Sequence, residues 1–154
     1  MADAVVRVVD VYVYRRQGGG FEYLLLRRAS SKLYAGQWRM VGGKIEPGEP
    51  AWKTALRELD EETQLDPRAA WALPSVNAFY EPARDQVNLI PAFAAEVDAD
   101  PVLDEEHDAF EWLPLSEAVA RVAWPEQRRL LSLTDELLHA GPIPPDWSIR
   151  SLDA

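Results

Sequence analysis

Alternating apolar residues predict the first strands of this chain. In residues 5–14, VVRVVDVYVY, apolar side chains fall on both faces of an extended segment. One face holds Val5, Val9, Val11 and Val13, and the other holds Val6, Val8, Tyr12 and Tyr14. Because a strand that is apolar on both faces is typical of a sheet covered on both sides, we expect a layered α/β structure. The glycines at 18–20 predict a turn, and residues 21–28 predict the returning strand of a hairpin.

The rest of the chain alternates further strands and helices. Strands are predicted at 38–41, 71–80, 87–97 and 109–113, and helices at about 50–63, 116–122 and 125–139. The tail from Gly141 contains three prolines and is predicted to be non-helical. The length of 154 residues is that of one ordinary domain, so we expect a single domain over residues 1–154.

Composition and charge narrow the classes of function. Hydrophobic residues make up 47% of the chain, which is enough for a core. We expect neither a membrane span nor a signal peptide, and without cysteines no disulfide or thiolate site can form, so a cytoplasmic location is expected. The 16 basic and 26 acidic residues give a net charge of −10, which argues against nucleic-acid binding. A small polyphosphate remains compatible with this charge if metal ions reverse the local field.

The predicted helix at 50–63 carries the main candidate chemistry. Glu58, Glu61 and Glu62 share one helix face at 100° per residue, and apolar side chains occupy another. No cationic partner for these three carboxylates is obvious from the sequence. Because Mg²⁺ prefers oxygen ligands, clustered carboxylates on a rigid face predict a divalent-cation site.

The spacing around these glutamates resembles a known family signature. The stretch from Gly43 to Leu65 matches, in order, a glycine, a glutamate, an Arg-Glu-aliphatic triplet, a Glu-Glu pair and a final aliphatic residue. This stretch resembles the Nudix box, G-x5-E-x7-R-E-U-x-E-E-x-G-U, of the Nudix hydrolases. One position differs, since Gln64 stands where the family usually has glycine, and we expect that change to affect the local turn rather than the chemistry. The order of predicted elements also resembles the Nudix fold, a mixed β-sheet sandwiched between α-helices.

The resemblance implies a metal site and residues that position it. Glu58, Glu61 and Glu62 would bind Mg²⁺, with Mn²⁺ as the alternative ion. The backbone carbonyl of Gly42 and the carboxylate of Glu106 would add ligands, although the acidic run around Glu106 is equally typical of a solvated loop. Arg57 and Glu49 would pair and hold the box loop against the helix.

The resemblance also implies substrate contacts outside the carboxylates. Arg27 and Arg28 are candidate phosphate ligands, with a solvated strand end as the alternative interpretation. Lys44 is a further candidate, and Trp38 or Phe79 would border a base pocket.

The implied activity is hydrolysis of a diphosphate linkage. The substrate would be a nucleoside triphosphate, such as dATP, or a related compound such as dihydroneopterin triphosphate, cleaved to a monophosphate and pyrophosphate. Alternative activities are hydrolysis of a dinucleoside polyphosphate of the Ap4A type or of an ADP-sugar. A non-catalytic domain that senses a nucleotide or binds a partner is the alternative from another class. The sequence leaves the oligomeric state open, and the resemblance allows a homodimer, because Nudix enzymes are often dimers.

Overall fold

The computed structural model describes residues 1–152, in which one sheet lies between helices. The strands are β1 (Asp3–Val5), β2 (Val8–Gln17), β3 (Gly20–Arg28), β4 (Trp38–Arg39), β5 (Val41–Lys44), β6 (Ala69–Glu81), β7 (Gln86–Glu96) and β8 (His107–Leu113). The helices are α1 (Ala51–Thr63), α2 (Leu115–Arg121) and α3 (Pro125–Ala140). No helix among these residues is both long enough and apolar enough to cross a membrane.

The sheet is mixed, as the sequence predicts. β1, β7, β2, β3 and β4 follow one another across it, with β5 paired to β2, β6 to β7 and β8 to β3. β7 runs parallel to both β1 and β2, whereas the other pairs are antiparallel. The predicted strand at 5–14 is divided: Val5 ends β1, β2 begins at Val8, and Val6 between them is 53% exposed.

Alternation along β2 builds two separate apolar cores. Val9, Val11 and Val13 pack with Leu59 of α1 on one face of the sheet. Tyr12 and Tyr14 pack with the leucines of α3 on the opposite face. Because successive strand residues point to opposite faces, a strand that is apolar throughout serves both cores. The predicted α/β sandwich is therefore confirmed, with α1 on one face of the sheet and α2 and α3 on the other.

Helix α1 ends in the turn that the family signature marks with glycine. Gln64 has φ 56° and ψ 22°, in the left-handed region, and its N–H donates to the carbonyl oxygen of Asp60 at 2.8 Å. A side chain in this conformation costs on the order of 1 kcal/mol, which glycine would avoid. Beside this turn lies the loop between β7 and β8, whose Val102 N–H donates to the carbonyl oxygen of Thr63 at 2.9 Å. The acidic segment after β7 is thereby fixed beside the end of α1.

The tail after α3 packs on the sheet. As predicted, it contains no α-helix within the described residues, and two short 3-10 turns occupy Pro145–Trp147 and Arg150–Leu152. Trp147 stacks on Trp71 of β6 with ring centroids 6.2 Å apart, and the N–H of Ile149 donates to the carbonyl oxygen of Ala70 at 2.9 Å.

Candidate active site

Two glycines at the end of β5 let the strand approach α1 closely. A Cβ on Gly43 would lie within 2.5 Å of the Glu58 carboxylate, and a Cβ on Gly42 would lie 2.5 Å from the carbonyl oxygen of Val9. Neither position has room for a side chain, so the absence of a Cβ is the reason for glycine at both. The N–H of Gly42 donates to Oε2 of Glu62 at 3.2 Å. The backbone of β5 thus lies directly against the carboxylate face of α1.

Two of the three predicted carboxylates lie together: that of Glu62 is buried and that of Glu58 is partly buried. The side chains of Glu58 and Glu62 are 14% and 3% exposed, whereas that of Glu61 is 54% exposed. Burial raises the pKa of Glu62, and the neighbouring Glu58 carboxylate raises it further. Burial also raises the pKa of Glu58. Two crowded buried carboxylates favour either a shared proton or a bound cation, so this donor set suits a hard divalent ion.

Arg57 is the cationic partner that the sequence did not reveal. Its guanidinium donates to Glu58 at 2.9 Å, to Glu61 at 3.1 Å and to the carbonyl oxygen of Lys44 at 2.8 Å. The expectation that the glutamate face lacks a cationic partner is therefore wrong. Glu61 lies four positions after Arg57, about one helical turn, so their side chains are neighbours on the helix surface.

The predicted pairing of Arg57 with Glu49 is present and has two bonds. Nε donates to one Glu49 oxygen at 2.8 Å and Nη2 to the other at 2.9 Å, and the Thr54 hydroxyl donates to the same carboxylate at 2.7 Å. The Arg57 guanidinium, with Thr54, lowers the pKa of Glu49 to about 2. Glu49 therefore stays ionised throughout the neutral range and fixes the plane of the guanidinium that contacts Glu58.

The loop before β8 brings a second set of acidic groups to α1. Oε2 of Glu106 accepts from Arg28 Nη1 at 3.1 Å, and the backbone oxygen of Glu106 accepts from the N–H of Ala29. His107 is buried, with Nδ1 2.9 Å from Asp104 and Nε2 3.6 Å from Glu62. Burial lowers the pKa of His107, so the neutral imidazole is favoured at neutral pH. This part of the acidic run is tied to the site by specific bonds.

These acidic groups do not converge on one point. Within residues 1–152, no three Asp, Glu, His or Cys side chains have the geometry of a ready-made metal cluster. The carboxylates of Glu61 and Glu106 are instead bonded to Arg57 and Arg28. Glu58 and Glu62 would form the centre of a metal site. Glu61 and Glu106 would become ligands only by breaking their bonds to Arg57 and Arg28.

A cavity of about 810 Å³ opens beside the buried carboxylates. Six predicted site residues line it: Arg28, Gly42, Lys44, Glu58, Glu62 and Glu106. The other predicted residues, Arg27, Trp38, Glu49, Arg57 and Glu61, do not belong to its lining. Glu49 and Arg57 reach the cavity only through the carboxylates that they hold.

Arg27 and Trp38, the other predicted substrate contacts, lie away from this cavity. Leu26 and Leu24 of β3 pack on the α1 face and Leu25 on the α3 face, so consecutive Arg27 and Arg28 point to opposite sides of the sheet. Arg27 pairs with Asp108 at 2.7 Å and lies over the Trp38 ring, which packs with the α3-side core. Only Arg28 of the two arginines reaches the cavity.

The cavity also contains residues that the sequence reasoning missed. They come from β2, β4, β6 and the start of α3: Asp10, Arg39, Asn77, Trp124 and Gln127. Asp10 had a detectable signal, because it is the one charged residue between Val8 and Tyr14 in an otherwise apolar strand. Phe79, noted as a candidate for the base pocket, lines the cavity as well and is exposed.

Arg39 is a cation without a carboxylate partner. No hydrogen bond or ion pair joins it to any other side chain among the described residues, although Glu62 and Glu106 stabilise its charge from a distance. Burial lowers the pKa of Arg39, and the nearby Arg28 lowers it further, but a guanidinium remains charged at neutral pH. Its charge is therefore available to an anionic ligand in the cavity.

A second groove, of about 680 Å³, adjoins the first cavity. It contains three basic residues, Arg7, Lys44 and Arg84. Lys44 and Phe79 line both the groove and the cavity. Basic side chains are thus concentrated here on a chain of net charge −10.

Known proteins resemble this chain in sequence and in fold. Residues 5–134 match the NUDIX domain. The chain is 36% identical over 126 residues to an octanoyltransferase of Myxococcus xanthus, a match covering 76% of this chain and only 33% of that protein. It is 30% identical over 139 residues to the asymmetrical bis(5'-nucleosyl)-tetraphosphatase of Sus scrofa, covering 82% and 90% of the two chains. The crystal structure of a Caenorhabditis elegans Ap4A hydrolase complex, 22% identical, superposes with a TM-score of 0.72 over 89% of this chain and 100% of that one.

Proposed function

We propose that this chain, which belongs to the Nudix family of hydrolases, acts on a nucleoside triphosphate or a closely related triphosphate. Hydrolysis of a diphosphate linkage would release a monophosphate and pyrophosphate. Nudix hydrolases generally use divalent metal cations, and we propose Mg²⁺ here, with Mn²⁺ as a substitute.

One observation supports this function best: a single cavity combines the three kinds of group that such a substrate needs. It holds the buried carboxylates Glu58 and Glu62, the unpaired cation Arg39 and the exposed aromatic ring of Phe79. Its volume is in the range that small organic ligands occupy. Carboxylates suit metal ions, a guanidinium suits phosphate oxygens and an aromatic ring suits the face of a base.

The proposed metal ligands are Glu58 and Glu62, with Glu61, Glu106 and the carbonyl of Gly42 as further candidates. A bound divalent ion would neutralise phosphate charge and lower the pKa of a water molecule. Two features fit this role. The side chains of Glu58 and Glu62 are largely shielded from solvent, and the absence of a Cβ at Gly43 lets the backbone of β5 lie beside the Glu58 carboxylate.

The other residues bind phosphate or hold the carboxylates in place. Arg39, Arg28 and Lys44 line the cavity and would balance the negative charge of the phosphates. Arg57 would orient Glu58, while Glu49 fixes the guanidinium of Arg57 through two bonds. Electrostatic stabilisation by such fixed groups is a large part of catalysis in phosphoryl transfer.

A substrate panel with product identification tests this function. Purified protein with Mg²⁺ is expected to convert nucleoside triphosphates to monophosphate and pyrophosphate in equal amounts, and chelation of the metal is expected to stop the reaction reversibly. The panel includes dihydroneopterin triphosphate, Ap4A and ADP-ribose, with heat-denatured protein as the blank. Stepwise release of phosphate, or cleavage of only ADP-ribose or Ap4A, would contradict the proposal.

A dinucleoside polyphosphate is the second candidate substrate. The basic groove next to the cavity could accept a second phosphate-linked arm, since Lys44 and Phe79 line both spaces. The similarity to an asymmetrical bis(5'-nucleosyl)-tetraphosphatase favours the same class. Formation of ATP and AMP from Ap4A, at a higher kcat/KM than for any triphosphate, would select this candidate over the first.

Replacing Arg39 by alanine is expected to raise the KM for a triphosphate substrate about tenfold or more. The reason is that a charge-assisted bond to phosphate is worth roughly 1.5–3 kcal/mol. Arg27→Ala is the matched control, because Arg27 points to the opposite face of the sheet. Steady-state kinetics of both variants check the prediction, and an equal effect of the two substitutions would contradict it.

A further inference from the structure

A buried polar cluster lies at one end of the cavity, next to the carboxylate site. Asp10 of β2 accepts hydrogen bonds from Asn77 Nδ2 at 3.0 Å, from Gln127 Nε2 at 3.2 Å and from the Tyr12 hydroxyl at 3.3 Å. Asp10 is directly opposite Gly42 in the β2–β5 pair. The cluster therefore adjoins the backbone that donates to Glu62.

The bonds of this cluster fix the orientation of both amide groups. Gln127 donates to Asp10 through Nε2, and its Oε1 accepts from the N–H of Met40 at 3.4 Å. Asn77 directs Nδ2 at Asp10, which gives the carboxylate a donor. Oδ1 of Asn77 is consequently turned away from Asp10.

Oδ1 of Asn77 is buried and has no hydrogen-bond partner among the described residues. Asn77 itself is only 6% exposed and lines the cavity. Buried polar atoms in native proteins are almost always paired, so an unpaired acceptor beside a ligand cavity indicates a donor supplied from outside the chain.

The surroundings of this acceptor suit a planar ligand. Phe79 lies two residues further along β6 and therefore on the same face of the strand as Asn77. Trp124 lies three residues before Gln127, and its ring contacts Tyr34 edge to face at 5.3 Å. All three aromatic side chains line the cavity and are exposed. Exposed aromatic rings around a polar end are typical of a site that stacks a base.

We infer, on the basis of the proposed function, that Asn77 recognises the exocyclic amino group of the substrate's nucleobase. Nδ2 of Asn77 and Nε2 of Gln127 each give one of their two N–H donors to Asp10. Oδ1 of Asn77 is the acceptor of this cluster that has no partner among the described residues. An amino group supplies the donor that Oδ1 lacks. A base edge with a carbonyl oxygen in that place would set acceptor against acceptor, so such bases are disfavoured. Asp10 and Gln127 act as positioning residues that hold the amide of Asn77.

Matched pairs of bases test this inference. Each pair differs only by the amino group: adenine against purine, guanine against hypoxanthine, and cytosine against 2-pyrimidinone. Binding of the non-hydrolysable α,β-methylene triphosphates is measured by calorimetry with Mg²⁺, and hydrolysis of the ordinary triphosphates is measured separately. For at least one pair, wild-type protein is expected to bind the amino form at least tenfold more tightly, as for one hydrogen bond to a buried acceptor.

Variants of β6 assign that preference to one side chain. In Asn77→Ala the preference is expected to fall below about threefold, with the Mg²⁺ dependence of hydrolysis retained. Val76→Ala is the control, because the adjacent side chain points to the other face of the strand and the preference should persist. If the alanine variant unfolds, Asn77→Leu replaces it, because leucine fills the space of the asparagine side chain without its amide. The comparison of paired bases on wild-type protein does not depend on either variant.

The outcomes separate this inference from the proposed function. Equal binding within all three pairs, or a preference that survives in Asn77→Ala, overturns the role of Asn77 even if every triphosphate is hydrolysed. A preference that depends on Asn77, in a protein that hydrolyses none of these triphosphates, supports the recognition site and overturns the proposed substrate. Failure to bind any of the six compounds overturns the inference.

Discussion

Replacing Glu62 by glutamine is expected to reduce kcat by about 10²–10³-fold at saturating Mg²⁺. Glu62 is one of the two buried carboxylates and is the proposed centre of the metal site. An amide cannot supply the negative charge that holds a divalent ion, and such an ion contributes several kcal/mol to transition-state stabilisation. Steady-state kinetics over a range of Mg²⁺ concentrations check this. Asp60→Asn is the control, because Asp60 is an exposed acidic residue of the same helix.

The same substitution is expected to leave the fold intact and to stabilise the metal-free protein at neutral pH. Because the pKa of Glu62 is raised in the folded protein, the folded state holds a proton that the unfolded state releases above its ordinary value of 4.5. The wild-type protein therefore loses stability as the pH rises above 4.5, and the amide removes that loss. Thermal unfolding at pH 4 and at pH 7.5 measures the difference. Wild-type kcat in the variant, or a lower Tm at pH 7.5, would contradict the assignment.

Alanine at Gly43 is expected to reduce mainly activity, whereas alanine at Gly42 is expected to reduce stability. At Gly43 the new Cβ collides with the end of the Glu58 side chain, which can move away. We expect kcat to fall about 10²-fold, while the free energy of unfolding changes by less than about 1 kcal/mol. At Gly42 the new Cβ meets the backbone oxygen of Val9 at 2.5 Å, so β2 and β5 must separate. There we expect a loss of about 2–3 kcal/mol of stability.

Gly20→Ala is the control for both glycine variants. The nearest atom to a Cβ at Gly20 is the carbonyl oxygen of Gln17, 3.9 Å away, and the backbone there is not left-handed. Urea unfolding and kcat, measured on all three variants, separate damage to the carboxylate site from damage to the sheet. A Gly43→Ala variant with full activity would show that Glu58 need not stay where the structure places it.

The sequence predicted the parts of the site that lie close together in the chain. The box from Gly43 to Leu65 contains its own glycine turn, helix and carboxylates, so its spacing alone indicates how Glu58 and Glu62 are presented. The resemblance to the Nudix box implied the pairing of Arg57 with Glu49, which the structure contains. Alternation along β2 likewise predicts a sheet with two covered faces, because the period of a strand is two residues.

The opposite wall of the cavity could not be predicted in the same way. Asn77 lies 67 positions after Asp10, and Gln127 lies 117 positions after it. These residues meet only because β2, β6 and α3 converge. Arg27 and Arg28 are neighbours in the sequence, yet the strand directs them to opposite faces, which only the packing of β3 resolves. The proposed recognition of a base depends on such distant contacts, whereas Glu58 and Glu62, the centre of the proposed metal site, come from one short motif.

The tail after α3 covers part of an open edge of the sheet. β6 pairs with β7 on one side only, and an open strand edge is a template for pairing with another chain. The bridge between Ser148 and Trp71, with the bond from Ile149 to Ala70, covers the first part of that edge. Ile149 packs in the α1-side core and Trp147 packs against the α3-side core, so the tail contacts both faces of the sheet. This segment follows residues 5–134, the region that matches the family, and it leaves fewer unpaired backbone groups on the β6 edge for another chain to bind.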